Sequence, residues 1–160
     1  MTSSTQPFVT GSYYHLYNRA LQGETVYADE GDYLRCLRML KQNAIRYHIA
    51  VIAYYLMPNH YHMLIRPDGE ASPSRFVQTL FNAYVQAVNR QRERRGPLFE
   101  GHFYHREIDS DEYLLQVCRY IHLNPVRAGL VVAPSEWPYS NYLQWIGERQ
   151  GTLVDRETVV

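Results

Sequence analysis

Residues 56–65 read Leu56-Met57-Pro58-Asn59-His60-Tyr61-His62-Met63-Leu64-Ile65, an apolar stretch that two histidines interrupt. Pro58-Asn59 favours a bend, so the pattern predicts one strand that ends near Met57 and a second that begins at His60. Because side chains alternate along a strand, His60 and His62 point to one face and Tyr61 to the other. Two imidazoles on one face are either half of a divalent-metal site or two solvent-facing histidines.

A second informative segment is a predicted helix that begins at the cap candidates 109–112 and runs toward Asn124. On this helix Tyr120 and Asn124 lie four residues apart and share a face. They offer a phenol and an amide oxygen, which can ligate a hard metal. Both also have structural explanations, Tyr120 as a packing residue and Asn124 as a C-terminal cap. Pro125 is expected to end the helix or weaken its last turn, and it disfavours helical geometry at Asn124.

The hydrophobic periodicity of the whole chain predicts one domain over residues 1–160, with a core at about 11–146 and a flexible tail or lid at 147–160. Strands are predicted at 13–17, 49–57, 60–66 and 98–108, and helices at 29–47, 72–91 and 109–124. The first six elements match an α+β, ferredoxin-like split βαββαβ antiparallel sheet with helices on one face. An added C-terminal helix would then lay Tyr120 beside the sheet.

The composition is biased toward arginine. The formal net charge is zero, which does not by itself indicate a nucleic-acid enzyme, but fifteen of the sixteen cations are arginines and only Lys41 is a lysine. Arginine suits bidentate phosphate contacts and stacking on bases. Cys36 and Cys118 are too few for a disulfide framework. A cytoplasmic protein is expected, because no signal-peptide pattern or membrane-length apolar segment is visible.

The arginines are also unevenly placed. Four stand at the end of the second predicted helix, and three lie near the elements that carry the candidate site. A cluster of this kind is usually a solvated helix end, but beside a metal and a nucleophile it could bind a DNA backbone. The candidate DNA-binding residues are Arg90, Arg92, Arg94, Arg95, Arg106, Arg119 and Arg127.

Taken together, these segments resemble the single-tyrosine HUH transposases and, more narrowly, the REP-associated tyrosine transposases. The resemblance rests on residues 57–64, on residues 120–131 and on the segment Glu136-Trp137-Pro138-Tyr139-Ser140-Asn141-Tyr142. It spans roughly residues 13–145. It implies the ferredoxin-like sheet and an enzyme that cuts and rejoins single-stranded DNA with hairpin or palindromic repeats.

The resemblance also implies roles for individual residues. His60 and His62 would hold Mg²⁺ or Mn²⁺, with Asn124 as the third protein ligand. Tyr120 would attack the scissile phosphate and leave a 5′-phosphotyrosine and a free 3′-hydroxyl. Tyr61 departs from the family pattern, which has a bulky apolar residue between the histidines, although strand packing should tolerate it. A monomer and a homodimer both fit the sequence.

Two other functions remain open at this stage. The first is a non-catalytic module that binds a DNA hairpin, which the arginine and aromatic content would support. The second is a metal-dependent hydrolase in which the histidines activate water. It ranks last because no carboxylate occupies a position where a general base would be expected.

Overall fold

A computed structural model describes residues 7–70 and 72–147 of the chain. Within this part, four strands form one antiparallel sheet in the order β2-β3-β1-β4. They are β1 (Tyr13–Arg19), β2 (Ile49–Met57), β3 (His60–Pro67) and β4 (Tyr104–Ile108). The long helices are α1 (Glu30–Arg46), α2 (Pro73–Arg92) and α3 (Asp111–Arg127), and a short helix α4 covers Tyr142–Trp145. The predicted α+β split βαββαβ sheet is confirmed. Residues 148–160, most of the predicted tail or lid, lie outside the described residues.

The two faces of the sheet carry separate hydrophobic cores. Helices α1 and α2 pack on one face, where Leu16 and Met63 are buried beneath them. Tyr61 belongs to this face as well, and its ring stacks on Phe81 of α2 with a centroid separation of 4.3 Å. Helix α3 packs on the other face over the smaller core. Strand alternation therefore sends Tyr61 into the main core and leaves the flanking histidines on the α3 face.

The last strand is shorter than the sequence predicted. The prediction placed a strand over 98–108, whereas β4 covers only Tyr104–Ile108. Leu98 and Phe99 are consecutive, yet both pack on the main core, which a regular strand forbids because neighbouring side chains point to opposite faces. The backbone of Phe99 forms an isolated bridge with Ala20 and is not part of a strand.

Helix α3 continues through Pro125, so of the two predicted outcomes the proline weakens the last turn and does not end the helix. Pro125 is buried, and the helix reaches Arg127. The missing proline N–H removes one bond close to the end of the helix, where few turns depend on it. The backbone N–H of Ala128 donates to Asn124 O, and that of Leu130 donates to Pro125 O, so the final turn is closed. Asn124 is consequently helical and projects from the same side as Tyr120.

The segment after α3 covers the edge strand β2. Trp137 Nε1 donates to Leu56 O at 3.0 Å, and Trp145 Nε1 donates to Ile52 O at 2.7 Å. The backbone N–H of Leu56 donates to Tyr139 O at 2.9 Å. Covering an edge in this way removes a row of unpaired backbone groups. No helix in the described part of the chain is long and apolar enough to cross a membrane.

Candidate active site between strand β3 and helix α3

Four side chains singled out by the sequence come together on the α3 face of the sheet. His60 and His62 leave β3 on this side, and their ring centroids lie 5.6 Å apart. Asn124 hydrogen-bonds the imidazole of His60. One turn earlier on α3, the ring of Tyr120 lies 5.8 Å from that of His62.

Each histidine is oriented by a partner at Nδ1. His60 Nδ1 lies 2.7 Å from Asn59 Oδ1. His62 Nδ1 lies 2.7 Å from Nε2 of His15, a buried residue of β1. In both rings Nδ1 is thereby engaged, and Nε2 is the nitrogen left for other partners.

The ring of His62 is further fixed by two tyrosines that sandwich it. Tyr17 stacks on one side at a centroid distance of 5.0 Å and an interplanar angle of 6°. Tyr55 stacks on it as well, at 4.8 Å and 16°. Planar contacts of this kind restrict rotation of the imidazole, which favours a preformed site.

Burial keeps the histidines of the site neutral. Burial, together with the neighbouring His15 and His60, lowers the pKa of His62 to about 2. Burial and the charge of Arg106 lower the pKa of His15 to about 4. The pKa of His60 is also lowered by burial, although its hydrogen bond with Asn124 opposes the shift. A neutral imidazole has the lone pair that metal ligation requires.

The donor groups fit a hard divalent cation. The buried hydroxyl of Tyr55, whose ring stacks on His62, finds no hydrogen-bond partner among the described residues, which favours a polar group from outside the chain at this place. No group of three or more His, Cys, Asp or Glu that could hold a metal occurs within residues 7–70 and 72–147. The set is instead two imidazoles and the amide of Asn124. A small set of this kind suits a cation that also keeps water or phosphate oxygens as ligands.

Tyr120 is accessible to a substrate. Its side chain is 37% exposed, and the guanidinium of Arg127 lies over its ring at 5.4 Å from the centroid. A cavity of about 340 Å³ adjoins the histidines from the direction of β1 and β4. Tyr120 does not line this cavity but approaches His62 from α3. The cavity lining is Tyr17, Asn18, Arg19, Asn59, His60, His62 and Tyr104.

The predicted DNA-binding arginines divide into two groups. Arg92 donates to Asp32 Oδ2 at 2.7 Å and to Thr25 O at 2.6 Å. Arg94 donates to Glu24 Oε1 at 3.0 Å. These two guanidinium groups hold the end of α2 against the rest of the chain. The other five are exposed: Arg90, Arg95, Arg106, Arg119 and Arg127.

Three further histidines lie away from the site. His122 is buried and its Nε2 lies 2.8 Å from Asn141 Oδ1, so it joins α3 to the segment that covers β2. His105 packs against Phe8 with a centroid separation of 4.5 Å, and His102 lies in the loop before β4.

The sequence did not single out His15, Tyr17 and Tyr55 as site residues. Their alternation along predicted strands was visible, but the pairing of Tyr17 with His62 across β1 and β3 was not. That pairing depends on the register of the sheet, which only the folded chain reveals.

Comparisons with known proteins agree on the family and the fold. The family model for IS200-like transposases matches residues 8–124. A Haemophilus influenzae protein named as a REP-associated tyrosine transposase is 28% identical over 122 residues, which is 69% of each chain.

Two solved structures share the fold. A REP-associated tyrosine transposase bound to a REP hairpin superposes with a TM-score of 0.77 at 16% identity, covering 97% of this chain and 94% of that one. A Deinococcus radiodurans protein described as a transposase gives 0.51 at 19% identity, covering 75% and 95%. The family consists of DNA-processing enzymes, and the resemblance predicted from the sequence is confirmed. With the family model covering most of its length, this chain belongs to the IS200-like transposases.

Proposed function

We propose that this chain is a metal-dependent transposase that cleaves and rejoins single-stranded hairpin DNA through a 5′-phosphotyrosine on Tyr120. The observation that carries the proposal is the convergence of Tyr120 and Asn124 with His60 and His62. This set suits nucleophilic attack by a side chain better than activation of water. Within the described residues no carboxylate hydrogen-bonds either histidine, so a water-activating base is not at hand.

The cation in this proposal is Mg²⁺ or Mn²⁺, held by His60, His62 and Asn124. When bound, it would polarise the scissile phosphate and neutralise the charge that develops there. All three ligands are uncharged in the neutral state of the histidines, so they leave the positive charge of the cation available to the phosphate.

The covalent step belongs to Tyr120. Its Oη attacks the phosphorus and gives up its proton to solvent, while the bond from phosphorus to the 3′ oxygen breaks and that oxygen takes a proton. The 5′ phosphate remains on Tyr120, and rejoining is the reverse attack by a 3′-hydroxyl. Arg127, over the tyrosine ring, is positioned to bind the phosphate in both directions. Because the phosphoester energy is conserved, no nucleotide cofactor is required.

The DNA partner in this proposal is a single strand with a hairpin or palindromic repeat. Support comes from the REP hairpin bound to the structural neighbour with the higher TM-score and from the five exposed arginines. Two of these arginines contact tyrosines of α3, Arg106 over the ring of Tyr113 and Arg127 over the ring of Tyr120. A monomer and a homodimer are both compatible with this proposal.

A trapping experiment tests the nucleophile. Labelled single-stranded hairpin oligonucleotides are incubated with Mn²⁺ and either the native protein or Tyr120→Phe, and denaturing gels then reveal DNA that stays attached. We expect an adduct with the native protein and none with Tyr120→Phe, while native gels show the same hairpin binding for both. Chelation with EDTA should also abolish the adduct.

Two tyrosine variants serve as matched controls. Tyr113→Phe changes another residue of α3, and Tyr104→Phe changes one that lines the cavity beside the histidines. Both should keep the adduct. An adduct that persists in Tyr120→Phe but is lost in Tyr104→Phe would identify Tyr104, and not Tyr120, as the nucleophile. Hairpin binding without any adduct would favour the non-catalytic module.

A further inference from the structure

A second cavity opens next to the candidate active site but on the opposite face of the sheet. It has a volume of about 360 Å³ and lies between α2 and the loop that precedes β4. We call it the side cavity. Its lining includes Asn18, Phe81, Asn82, Phe99, His102 and Phe103.

The side cavity and the cavity beside the histidines have one lining residue in common, Asn18. The amide of this residue is fixed, because its Nδ2 donates to Gly101 O at 3.0 Å and its Oδ1 accepts the backbone N–H of Arg19 at 2.9 Å. Asn18 therefore forms a rigid wall at the end of the sheet where β1 ends and β3 begins.

The floor of the side cavity is aromatic and rigid. Tyr61 and Phe81 stack on each other, and Phe99 meets Phe81 edge to face at 5.2 Å. Tyr61 and Phe81 are buried and support the partly exposed rings of Phe99 and Phe103, which also line the cavity. Rings supported in this way provide surfaces for another flat ring without first losing much conformational freedom. Tyr61 lies between His60 and His62 along β3, so the same strand carries a residue of the side cavity and the two candidate ligands.

The rim of the side cavity is polar. Gln78 and Asn82 project from α2 and His102 from the opposite loop, and none of the three side chains has a hydrogen bond to another described residue. No carboxylate is among the described residues that line the cavity. A flat ligand with donors and acceptors at its edge suits this arrangement, whereas a cation would gain no charge partner.

We propose that the side cavity binds one unpaired nucleobase of the DNA strand that passes the candidate active site. The proposal deepens the proposed function and rests on it. The base lies between the aromatic floor and the polar rim, and Gln78, Asn82 and His102 contact its edge. The side cavity thus selects the base at one position of the single strand and fixes the distance between that base and the scissile phosphate.

A direct test uses single nucleotides and needs no catalysis. Deoxynucleoside monophosphates are titrated one at a time into the protein while NMR follows the methyl groups of Val77, Val85 and Leu98, which line the side cavity. Asn82→Trp fills the cavity from α2. Its matched control is Ala83→Trp, the neighbouring position, which is exposed but does not line the cavity. We expect methyl shifts with at least one nucleotide in the native protein and in Ala83→Trp, and none in Asn82→Trp.

A second measurement places the base within the DNA. Hairpins whose single-stranded flank carries an abasic site at successive positions are bound to Tyr120→Phe protein, so that affinity is read without cleavage. One abasic position should weaken binding about 10-fold, the usual effect of losing one stacked base. Adding Asn82→Trp should weaken binding of the intact hairpin by a similar factor and abolish the dependence on that position.

The experiments test the base site in the side cavity and the proposed catalytic function independently of each other. Methyl shifts without any phosphotyrosine adduct would support the base site and contradict the proposed catalytic function. An adduct with no methyl shifts, and with equal abasic sensitivity in Asn82→Trp and Ala83→Trp, would overturn the base site and leave the chemistry intact. If neither nucleotides nor DNA perturb the methyl groups, the proposal is wrong whatever the catalytic result.

Discussion

At the scale of single residues, the candidate ligands depend on hydrogen bonds at the nitrogen that points away from the proposed cation. For His62 to ligate through Nε2, its Nδ1 must carry the proton and donate to His15 Nε2. The contact with His15 would then select this tautomer. Asn59 Oδ1 supplies the equivalent acceptor for His60. We therefore regard His15 as a positioning residue that acts through His62.

Replacing His15 separates this role from simple packing. His15→Phe removes the acceptor but keeps a buried ring, whereas His15→Gln keeps an acceptor. We expect His15→Phe to weaken Mn²⁺ binding about 10- to 100-fold, the usual effect of losing an outer partner of a ligand, and His15→Gln to weaken it less. Calorimetric titration with Mn²⁺ measures both.

A spectroscopic readout accompanies that titration. In metal-free protein, ¹⁵N NMR should detect the Nδ1–H tautomer of His62 in the native chain and in His15→Gln, and a shift toward Nε2–H in His15→Phe. If His15→Phe binds Mn²⁺ like the native protein and leaves the tautomer unchanged, the positioning role is refuted.

At the scale of secondary-structure elements, the helix that carries Tyr120 is fastened to the sheet by the segment after it. Asn141 is fully buried. Its Oδ1 accepts the backbone N–H of Tyr54 at 3.0 Å and lies 2.8 Å from His122 Nε2, while its Nδ2 donates to Ile52 O at 3.0 Å. One side chain thereby links α3, β2 and the covering segment. Since His122 is two residues from Tyr120, this link holds in place the turn of α3 that carries Tyr120.

Asn141→Ala should lower the free energy of unfolding by about 3 kcal/mol, because it leaves several buried polar groups without a partner. Chemical denaturation measures the change. Hydrogen exchange should also become faster in the turns of α3 around Tyr120. Gln116→Ala, an exposed position on the same helix, is the control and should change neither quantity. Unaltered exchange in α3 of the Asn141 variant would contradict the fastening role.

At the scale of the whole molecule, the net charge is zero, but the arginines have two different roles. Asp32 is buried and paired with Arg92, which ties the end of α2 to the start of α1. The exposed arginines include Arg106 and Arg127, which lie beside the tyrosines of α3. The first kind supports the fold, and the second kind is available to phosphates.

Alanine substitutions distinguish the two kinds. Arg92→Ala should lower the free energy of unfolding by about 2 kcal/mol, because the buried Asp32 carboxylate then keeps only a longer ion pair with Arg35 at 3.8 Å, whereas Arg90→Ala should not. Arg127→Ala should leave stability unchanged but reduce the slope of DNA affinity against salt concentration by about one. Denaturation curves and binding titrations at several salt concentrations provide these values. Equal salt slopes for the native protein and Arg127→Ala would show that Arg127 does not contact DNA phosphates.

Much of this molecule could be predicted from local patterns. Strand alternation was enough to place Tyr61 opposite His60 and His62, and helical spacing was enough to place Tyr120 beside Asn124. The order of strands and helices also predicted the sheet, because few topologies accommodate that order. Errors occurred where tertiary packing overrode local preference. Helix α3 reaches Arg127 although it contains Pro125, and Leu98 and Phe99 pack together on the core where the sequence predicted the start of β4.

The sequence by itself therefore determined the architecture and the four side chains that form the candidate site, since both follow from short-range periodicity. Only the tertiary structure decided which residues surround that site. His15 meets His62, and Asn141 meets His122, across sequence separations of 47 and 19 residues. Contacts of this kind depend on strand register and on the packing of separate elements, and neither is encoded in any local pattern. The same is true of the side cavity, whose walls come from four separate parts of the chain.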